Sequence, residues 1–222
     1  MLVRNINSFL SNVTTRLYRG WECMGIFIAL SGLDGSGKST QAELLSDMCR
    51  VKGMNVNVLH LKTMKSDKYL LKIKRKLQQY IIQNNVEDTD ELRNIGSALL
   101  FYEKVNDKVL SSLHSYDLTI IDRYCESALC YHYLEDGLYP SVQQIYDTLV
   151  KPDVNIFLDL PPNECYKRIA NRKYWSLFET PEYLEKAYTF YQTIRGNFTW
   201  IDATKSIEDI TKFLVSTLEN NT

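Results

Sequence analysis

The sequence of 222 residues lacks the features that mark several large classes of protein. No stretch of it stays apolar over the length that a transmembrane helix needs. Lysine and arginine number 26 against 27 acidic residues, so no excess of positive charge favours binding to nucleic acid or to a membrane surface. The five cysteines form no CxxC pair and no cluster with histidine, which indicates reduced thiols and a cytoplasmic protein.

The first 23 residues differ in composition from the rest of the chain. Their charges before Glu22 are all arginines, and these stand among serine, asparagine and threonine. A basic, hydroxyl-rich and acid-poor segment is typical of an organelle transit peptide, but a poorly ordered extension has the same composition. Both interpretations leave residues 24–222 as a single domain, which is the size of one α/β fold with one core.

A glycine-rich loop at residues 32–40, with the sequence GLDGSGKST, carries the strongest functional signal. It matches the pattern G-x-x-x-x-G-K-[ST], in which successive backbone N–H groups and the start of a helix surround phosphates. Lys38 is predicted to contact the β- and γ-phosphates of ATP, and the Ser39 hydroxyl to bind Mg²⁺. The residues predicted to bind ATP are Gly32, Leu33, Asp34, Gly35, Ser36, Gly37, Lys38, Ser39 and Thr40.

Strands alternate with helices along the chain, which predicts an α/β fold of the P-loop NTPase type with a five-stranded parallel sheet and helices on both faces. The predicted strands are residues 26–30, 56–61, 118–121, 154–160 and 200–202. The predicted helices are residues 40–51, 67–83, 89–113, 142–149, 162–172, 181–194 and 207–218. Ligands of such sheets bind beyond the carboxyl ends of the strands, where the glycine-rich loop is expected.

Further charged residues follow the predicted strands and helices. Asp122 ends the third strand, where a carboxylate supports Mg²⁺, and the neighbouring Arg123 offers a planar fork to a phosphate. Arg168 and Arg172 precede a short connection over residues 173–180, which is interpreted either as a lid over transferring phosphates or as a helix end stabilised by basic residues. The three histidines have no metal-ligand spacing and are interpreted as structural.

Four segments together resemble the thymidylate kinase family of nucleoside monophosphate kinases. They are FIALSGLDGSGKSTQ, DRYCESALCY, KPDVNIFLDLPPNECYKRI and WIDATKSIEDI. The resemblance covers residues 24–222 and implies ATP- and Mg²⁺-dependent phosphorylation of dTMP to dTDP by a homodimer, with no nucleic-acid or membrane partner.

The resemblance also implies a role for individual residues. Asp34 would lie close to the sugar and phosphate of the substrate, Phe101 would stack on its base, and Tyr131 would disfavour a 2′-hydroxyl. Arg123 would hold the monophosphate. Lys38, Arg123, Arg168 and Arg172 would form the catalytic set, Ser39 and Asp122 would hold the metal, and residues 202–206 would lie beside adenine.

The sequence departs from the family pattern at several positions. Ser31 stands where the family often has glutamate, and Leu61-Lys62-Thr63 replaces the usual segment after the second strand. Val105 aligns with the arginine that contacts thymine, and Leu177 aligns with the second arginine of the lid. These departures keep two alternatives open: a kinase of the same fold with another phosphorylated acceptor, and a nucleotide-binding relative with impaired catalysis.

Overall fold

The computed structural model describes residues 25–60, 79, 83, 89–135, 137–172 and 179–219. Within these ranges, five parallel strands form one sheet in the order β2-β3-β1-β4-β5. The strands are β1 Ile26–Gly32, β2 Val56–His60, β3 Leu118–Asp122, β4 Val154–Asp159 and β5 Thr199–Asp202. The predicted α/β architecture, with a parallel sheet between helices, is confirmed.

Helices connect the strands. They are α1 Lys38–Val51, α2 Asp90–Val105, α3 Ser111–Ser115, α4 Cys125–Glu135, α5 Pro140–Asp147, α6 Pro162–Ile169, α7 Pro181–Thr193 and α8 Ile207–Glu219. A π-helical turn, Asn106–Leu110, joins α2 to α3, so the predicted long helix over residues 89–113 is present as three helical segments. None of the helices that the structure describes is long and apolar enough to cross a bilayer.

The centre of the sheet is apolar on both faces. All five residues of β3 and the last six of β1 are buried, as expected for parallel strands covered by helices on either side. Phe27 and Tyr124 meet edge to face in this core, with ring centroids 5.1 Å apart. The register pairs Leu30 of β1 with Asp122 of β3, so that the polar residue at the end of β3 lies next to the residues that lead into the glycine-rich loop.

One helix has no counterpart among the elements that the sequence predicts. Residues 125–135 form α4. This helix buries Cys125, Leu129 and Cys130 but also the polar residues Glu126 and His132, so it has no single apolar stripe from which a helical period can be recognised. The helix predicted over residues 162–172 ends earlier, at Ile169, before two residues in a turn.

Some predictions fall outside the described residues. These are the extension over residues 1–23, most of the helix predicted over residues 67–83, and residues 173–178 of the connection, including Leu177. The cysteines that the structure describes are buried free thiols.

The close approach of two backbone segments at Gly25 gives a first prediction. A Cβ atom at this position would lie 1.9 Å from the carbonyl oxygen of Tyr116, which forces the backbone of the two segments apart. We expect Gly25→Ala to reduce the free energy of unfolding by about 3 kcal/mol, as overpacking in a core does. The measurement is urea unfolding followed by circular dichroism.

Gly196→Ala is the matched control. Among the residues that the structure describes, none comes within 4 Å of a Cβ built at Gly196, and its φ is outside the left-handed region. The stability of this variant should equal that of the wild type or exceed it by up to about 1 kcal/mol. Equal stabilities of the two variants would contradict the packing described for Gly25.

Candidate active site

The glycine-rich loop leaves β1 and packs against the first residues of α6. Gly35 has a φ of 92°, and a Cβ there would come within 2.6 Å of the carbonyl oxygen of Cys165. Only glycine permits both this conformation and this approach. The loop then enters α1 at Lys38, so the positive end of α1 lies at the space that Gly35, Gly37 and Lys38 line.

The ammonium group of Lys38 is buried inside this loop. Its Nζ donates a hydrogen bond of 2.6 Å to the carbonyl oxygen of Leu33 and lies 3.4 Å from Ser36 Oγ. Burial lowers the pKa of Lys38 to about 8, and the nearby Arg123 guanidinium acts in the same direction, while Asp34 opposes the shift. An anion entering the loop would therefore meet a concentrated positive potential that the protein only partly neutralises.

Asp34 and Arg123 form an ion pair across the mouth of the loop. Burial alone would raise the pKa of the Asp34 carboxyl, but Arg123 and Lys38 outweigh this effect and hold it below its ordinary value. Burial opposes the charge of Arg123, yet Asp34 raises the pKa of the guanidinium, so both partners are charged. Arg123 has a φ of 73°, which is uncommon for a residue with a side chain, and its backbone N–H donates to Leu30 O at 3.0 Å.

Asp122 lies beside the hydroxyl of Ser39 at the carboxyl end of β3. Ser39 Oγ donates to Asp122 Oδ2 at 2.5 Å, and His60 Nδ1 lies 3.3 Å from the same oxygen. Asp122 Oδ1 is buried and has no hydrogen-bond partner among the described residues. A buried carboxylate oxygen without a partner is costly, and a cation or a water bound to a cation would satisfy it.

These groups line a cavity of about 820 Å³ at the carboxyl edge of the sheet. The walls combine the glycine-rich loop, the ends of β2 and β3, the end of α6 and the start of α8. The lining side chains that the sequence singled out include Asp34, Lys38, Ser39, Asp122, Arg123, Tyr131, Arg168 and Arg172. Residues far apart in the sequence thus meet in one place, as parallel-sheet topology requires.

Three of these predicted residues differ in burial. Tyr131 projects from α4, and burial raises the pKa of its phenol. Arg168 is exposed and its Nη1 lies 3.4 Å from the carbonyl oxygen of Gly35. Arg172 is also exposed, with Nη1 3.5 Å from Glu179 Oε1.

Phe101 has a different position. Its ring is buried in the core on α2 and meets Tyr146 edge to face at 5.4 Å, away from the described wall of the cavity. Val105, one turn further along α2, is 0% exposed. Stacking of a base on Phe101 therefore stays a prediction from the family resemblance.

Several residues of the cavity wall were not singled out from the sequence as parts of the site. His60 was interpreted as structural, yet it ends β2 beside Asp122 and faces the cavity. The signal available was position, because His60 ends a strand that neighbours β3 in the predicted sheet. Glu179 and Gln41 gave no comparable signal, since their roles depend on contacts with Arg172 and with α8 that only the folded chain reveals.

Comparison with known proteins gives a consistent family. Residues 30–214 match the family model for thymidylate kinase. A probable thymidylate kinase of Thermococcus gammatolerans is 32% identical over 207 residues, covering 88% of this chain and 97% of that protein. The thymidylate kinase of Plasmodium falciparum is also 32% identical, over 189 residues, covering 84% of this chain and 86% of that protein.

A solved structure has the same fold. The thymidylate kinase of Candida albicans, described as having broad substrate specificity, superposes with a TM-score of 0.61 and covers 89% of this chain and 92% of that one. The two sequences are 22% identical over this match, so the similarity concerns the fold.

The buried charge of Lys38 predicts an unusual effect on stability. We expect Lys38→Met to leave the ligand-free protein as stable as the wild type at pH 7, or more stable by up to about 3 kcal/mol, because the variant no longer buries a cation whose pKa is depressed from 10.5 to about 8. Chemical unfolding of both proteins without nucleotide measures this difference.

The dependence of stability on pH distinguishes the loss of a buried cation from better packing of methionine as the cause. Between pH 8 and 10.5 the unfolded chain keeps the Lys38 proton while the folded chain releases it, so this residue makes stability rise with pH in that window. The variant lacks that rise, and its advantage should disappear by about pH 10.5. An advantage that is constant from pH 7 to 10.5 would show that the charge is not its cause.

Proposed function

The chain belongs to the thymidylate kinase family, and we propose on this basis that it transfers the γ-phosphoryl group of ATP to dTMP, giving ADP and dTDP. One observation carries the proposal: Lys38, within the glycine-rich loop, and Arg123, at the end of β3, line one cavity, and both act on the carboxylate of Asp34. Each of the two cations can hold one phosphorylated molecule, and the shared carboxylate keeps both cations at the same edge of the sheet.

ATP would bind through its phosphates to residues 32–40. The backbone N–H groups of this loop and the amino end of α1 face the cavity, and Lys38 Nζ is fixed by Leu33 O close to the predicted position of the β- and γ-phosphates. The hydrogen bonds that hold Lys38 without nucleotide are to neutral groups, so a phosphate oxygen would be a stronger partner for the ammonium.

Ser39 and Asp122 fit a site for Mg²⁺. Their oxygens are in contact, and the unpartnered Oδ1 of Asp122 supplies an acceptor that the protein itself leaves unused. Mg²⁺ commonly takes one or two protein ligands and completes its shell with substrate phosphates and water, which suits this pair. When bound, the ion would neutralise charge on the β- and γ-phosphates.

The acceptor nucleotide would bind beside Arg123. Arg123 lines the cavity and has the planar guanidinium suited to a 5′-phosphate. Its backbone is held by the left-handed φ and by the hydrogen bond to Leu30 O. Tyr131 lies in the same wall, where its ring would contact the sugar. The family resemblance implies that Phe101 would contact the base.

The reaction needs positioning and charge neutralisation more than proton transfer. A phosphate oxygen of dTMP is already anionic, so it can attack the γ-phosphorus without a general base while the bond from that phosphorus to the β–γ bridging oxygen breaks and ADP leaves. Arg168 and Arg172 stand at the rim of the cavity and would stabilise the charge on the transferred group.

A screen of deoxynucleoside and nucleoside monophosphates, with ADP release as the readout, tests the proposal. We expect dTMP to give the highest kcat/KM and Lys38→Ala to abolish turnover. A different preferred acceptor would support the alternative of a kinase of the same fold with another acceptor, which the valine at position 105 left open. ATP binding without turnover on any acceptor would leave a binding protein and refute the proposal.

The family resemblance also supports a homodimer. Sedimentation equilibrium should give a mass twice that of one chain, and a mass equal to one chain at micromolar concentration would contradict the proposal.

Replacing Arg123 tests its proposed contact with the phosphate of the acceptor. Arg123→Lys keeps the charge but loses the two-pronged contact, and we expect kcat/KM for dTMP to fall about 100-fold, with little change in the Kd of ATP. The measurement is steady-state kinetics together with calorimetric titration of ATP.

Arg93→Lys provides the control for this substitution. Arg93 also pairs with an aspartate, Asp90, but on the exposed face of α2 outside the cavity wall. Its kinetics should equal those of the wild type. A loss of similar size in both variants would mean that Arg123 acts through general stability.

Asp122→Asn tests the metal site. The amide keeps the size of the side chain but removes the charge, and we expect the Mg²⁺ concentration for half-maximal rate to rise at least tenfold. An unchanged Mg²⁺ requirement would exclude Asp122 as a support of the ion.

A further inference from the structure

Gln41 is a buried polar residue that directly follows the glycine-rich loop, in the first turn of α1. It is 2% exposed, and both polar atoms of its side-chain amide are hydrogen-bonded. Nε2 donates to the carbonyl oxygen of Ile207 at 3.1 Å, and Oε1 lies 2.9 Å from the hydroxyl oxygen of Thr211. The same hydroxyl is 2.8 Å from the Ile207 carbonyl oxygen, so the three groups form one set in which the single proton of Thr211 serves either Gln41 Oε1 or Ile207 O.

This set joins two elements that both line the cavity. Gln41 belongs to α1, which continues directly from Lys38 and Ser39, whereas Ile207 and Thr211 form the first turn of α8. Gln41 and Ile207 both contribute to the wall of the cavity. The set therefore fixes how far the start of α8 lies from the phosphate-binding loop.

The segment between β5 and α8 is ordered by its own hydrogen bonds. Asp202 Oδ1 accepts from the backbone N–H of Thr204 at 3.0 Å. Ser206 Oγ accepts from the backbone N–H of Asp209 at 3.1 Å, which caps α8. A well-defined segment is thus attached through Gln41 to α1, and together with the start of α8 it contributes Ala203, Lys205, Ile207 and Ile210 to the cavity wall.

The order of the strands decides which substrate this segment faces. In the order β2-β3-β1-β4-β5, Arg123 follows β3 and the segment follows β5, so the two are on opposite sides of the loop that follows β1. With the acceptor phosphate at Arg123 and the triphosphate on the loop, the segment lies on the side that remains for the nucleoside of the donor. The apolar side chains of Ala203, Ile207 and Ile210 suit a flat base.

We propose that Gln41 and Thr211 are positioning residues for the donor nucleoside: their hydrogen bonds hold the segment at the spacing from the phosphate loop that lets one ATP molecule contact both. The proposal rests on the proposed function, because it takes ATP as the donor. Neither side chain needs to touch the phosphates. The bonds act on the part of ATP beyond the phosphates, and inorganic tripolyphosphate does not need them.

Thr211→Val is the sharpest variant. Valine has nearly the shape of threonine but no hydroxyl, so Gln41 Oε1 loses its bond from Thr211 while the packing of α8 is retained. We expect the Kd of ATP, measured by calorimetry, to rise about tenfold, and the Kd of tripolyphosphate to change less than twofold. Thr211→Ser restores a hydroxyl and should return ATP affinity to the wild-type value.

Thr217→Val is the matched control within the same helix. Thr217 Oγ1 lies 2.9 Å from the carbonyl oxygen of Phe213, four residues earlier, as Thr211 Oγ1 lies 2.8 Å from that of Ile207, but it has no bond to Gln41. Its affinities for ATP and tripolyphosphate should equal those of the wild type. A rise in the Kd of ATP in this control as large as in Thr211→Val would overturn the proposal.

Two further outcomes would also overturn it. If Thr211→Val weakens ATP and tripolyphosphate equally, the hydrogen bonds shape the phosphate loop and do not position the nucleoside. If neither Kd changes, the bonds are structural only. Binding of tripolyphosphate with normal affinity shows that the variant is folded, and a wild-type protein that does not bind ATP would refute the proposed function instead.

Discussion

The candidate active site depends on the burial of two cations, Lys38 and Arg123, next to two carboxylates at one edge of a parallel sheet. An isolated cation in this environment would be strongly destabilising, and the lowered pKa of Lys38 shows that the compensation is incomplete. Asp34 balances Arg123, and Asp122 engages Ser39. A highly charged ligand would supply the counter-charge that the protein lacks, so the same imbalance that costs stability favours binding of polyphosphates.

The order of the strands places different groups on the two sides of the glycine-rich loop. The carboxyl ends of β1, β3 and β5 present the glycine-rich loop, Arg123 and the segment before α8 in a fixed lateral order. Parallel register brings His60, Asp122 and Leu30 level with one another across three strands. Side chains separated by 89 residues, as Arg123 and Asp34 are, or by 170, as Gln41 and Thr211 are, therefore meet without a dedicated linking element.

Much of this arrangement could be predicted from the sequence because its signals are local. The spacing of the glycine-rich loop, the apolar strands and the aspartate that ends β3 each fall within a few consecutive residues. What the sequence did not reveal depends on contacts between distant segments. Helix α4 is buried on several sides and has no apolar stripe, and Gln41, His60 and Glu179 join the cavity wall through partners on other elements. For Phe101, the family resemblance predicts contact with a base, whereas in the structure its ring packs against Tyr146.

The left-handed backbone at Arg123 has a consequence for how this protein tolerates change. Glycine or asparagine would adopt that φ at lower conformational cost than arginine, typically by about 1 kcal/mol. Such a substitution would, however, leave the largely buried carboxylate of Asp34 without its partner, at a cost of up to about 5 kcal/mol that outweighs the conformational gain. The ion pair thus keeps an uncommon backbone conformation in place, and a substitution that relaxes the backbone at position 123 requires a second change at position 34.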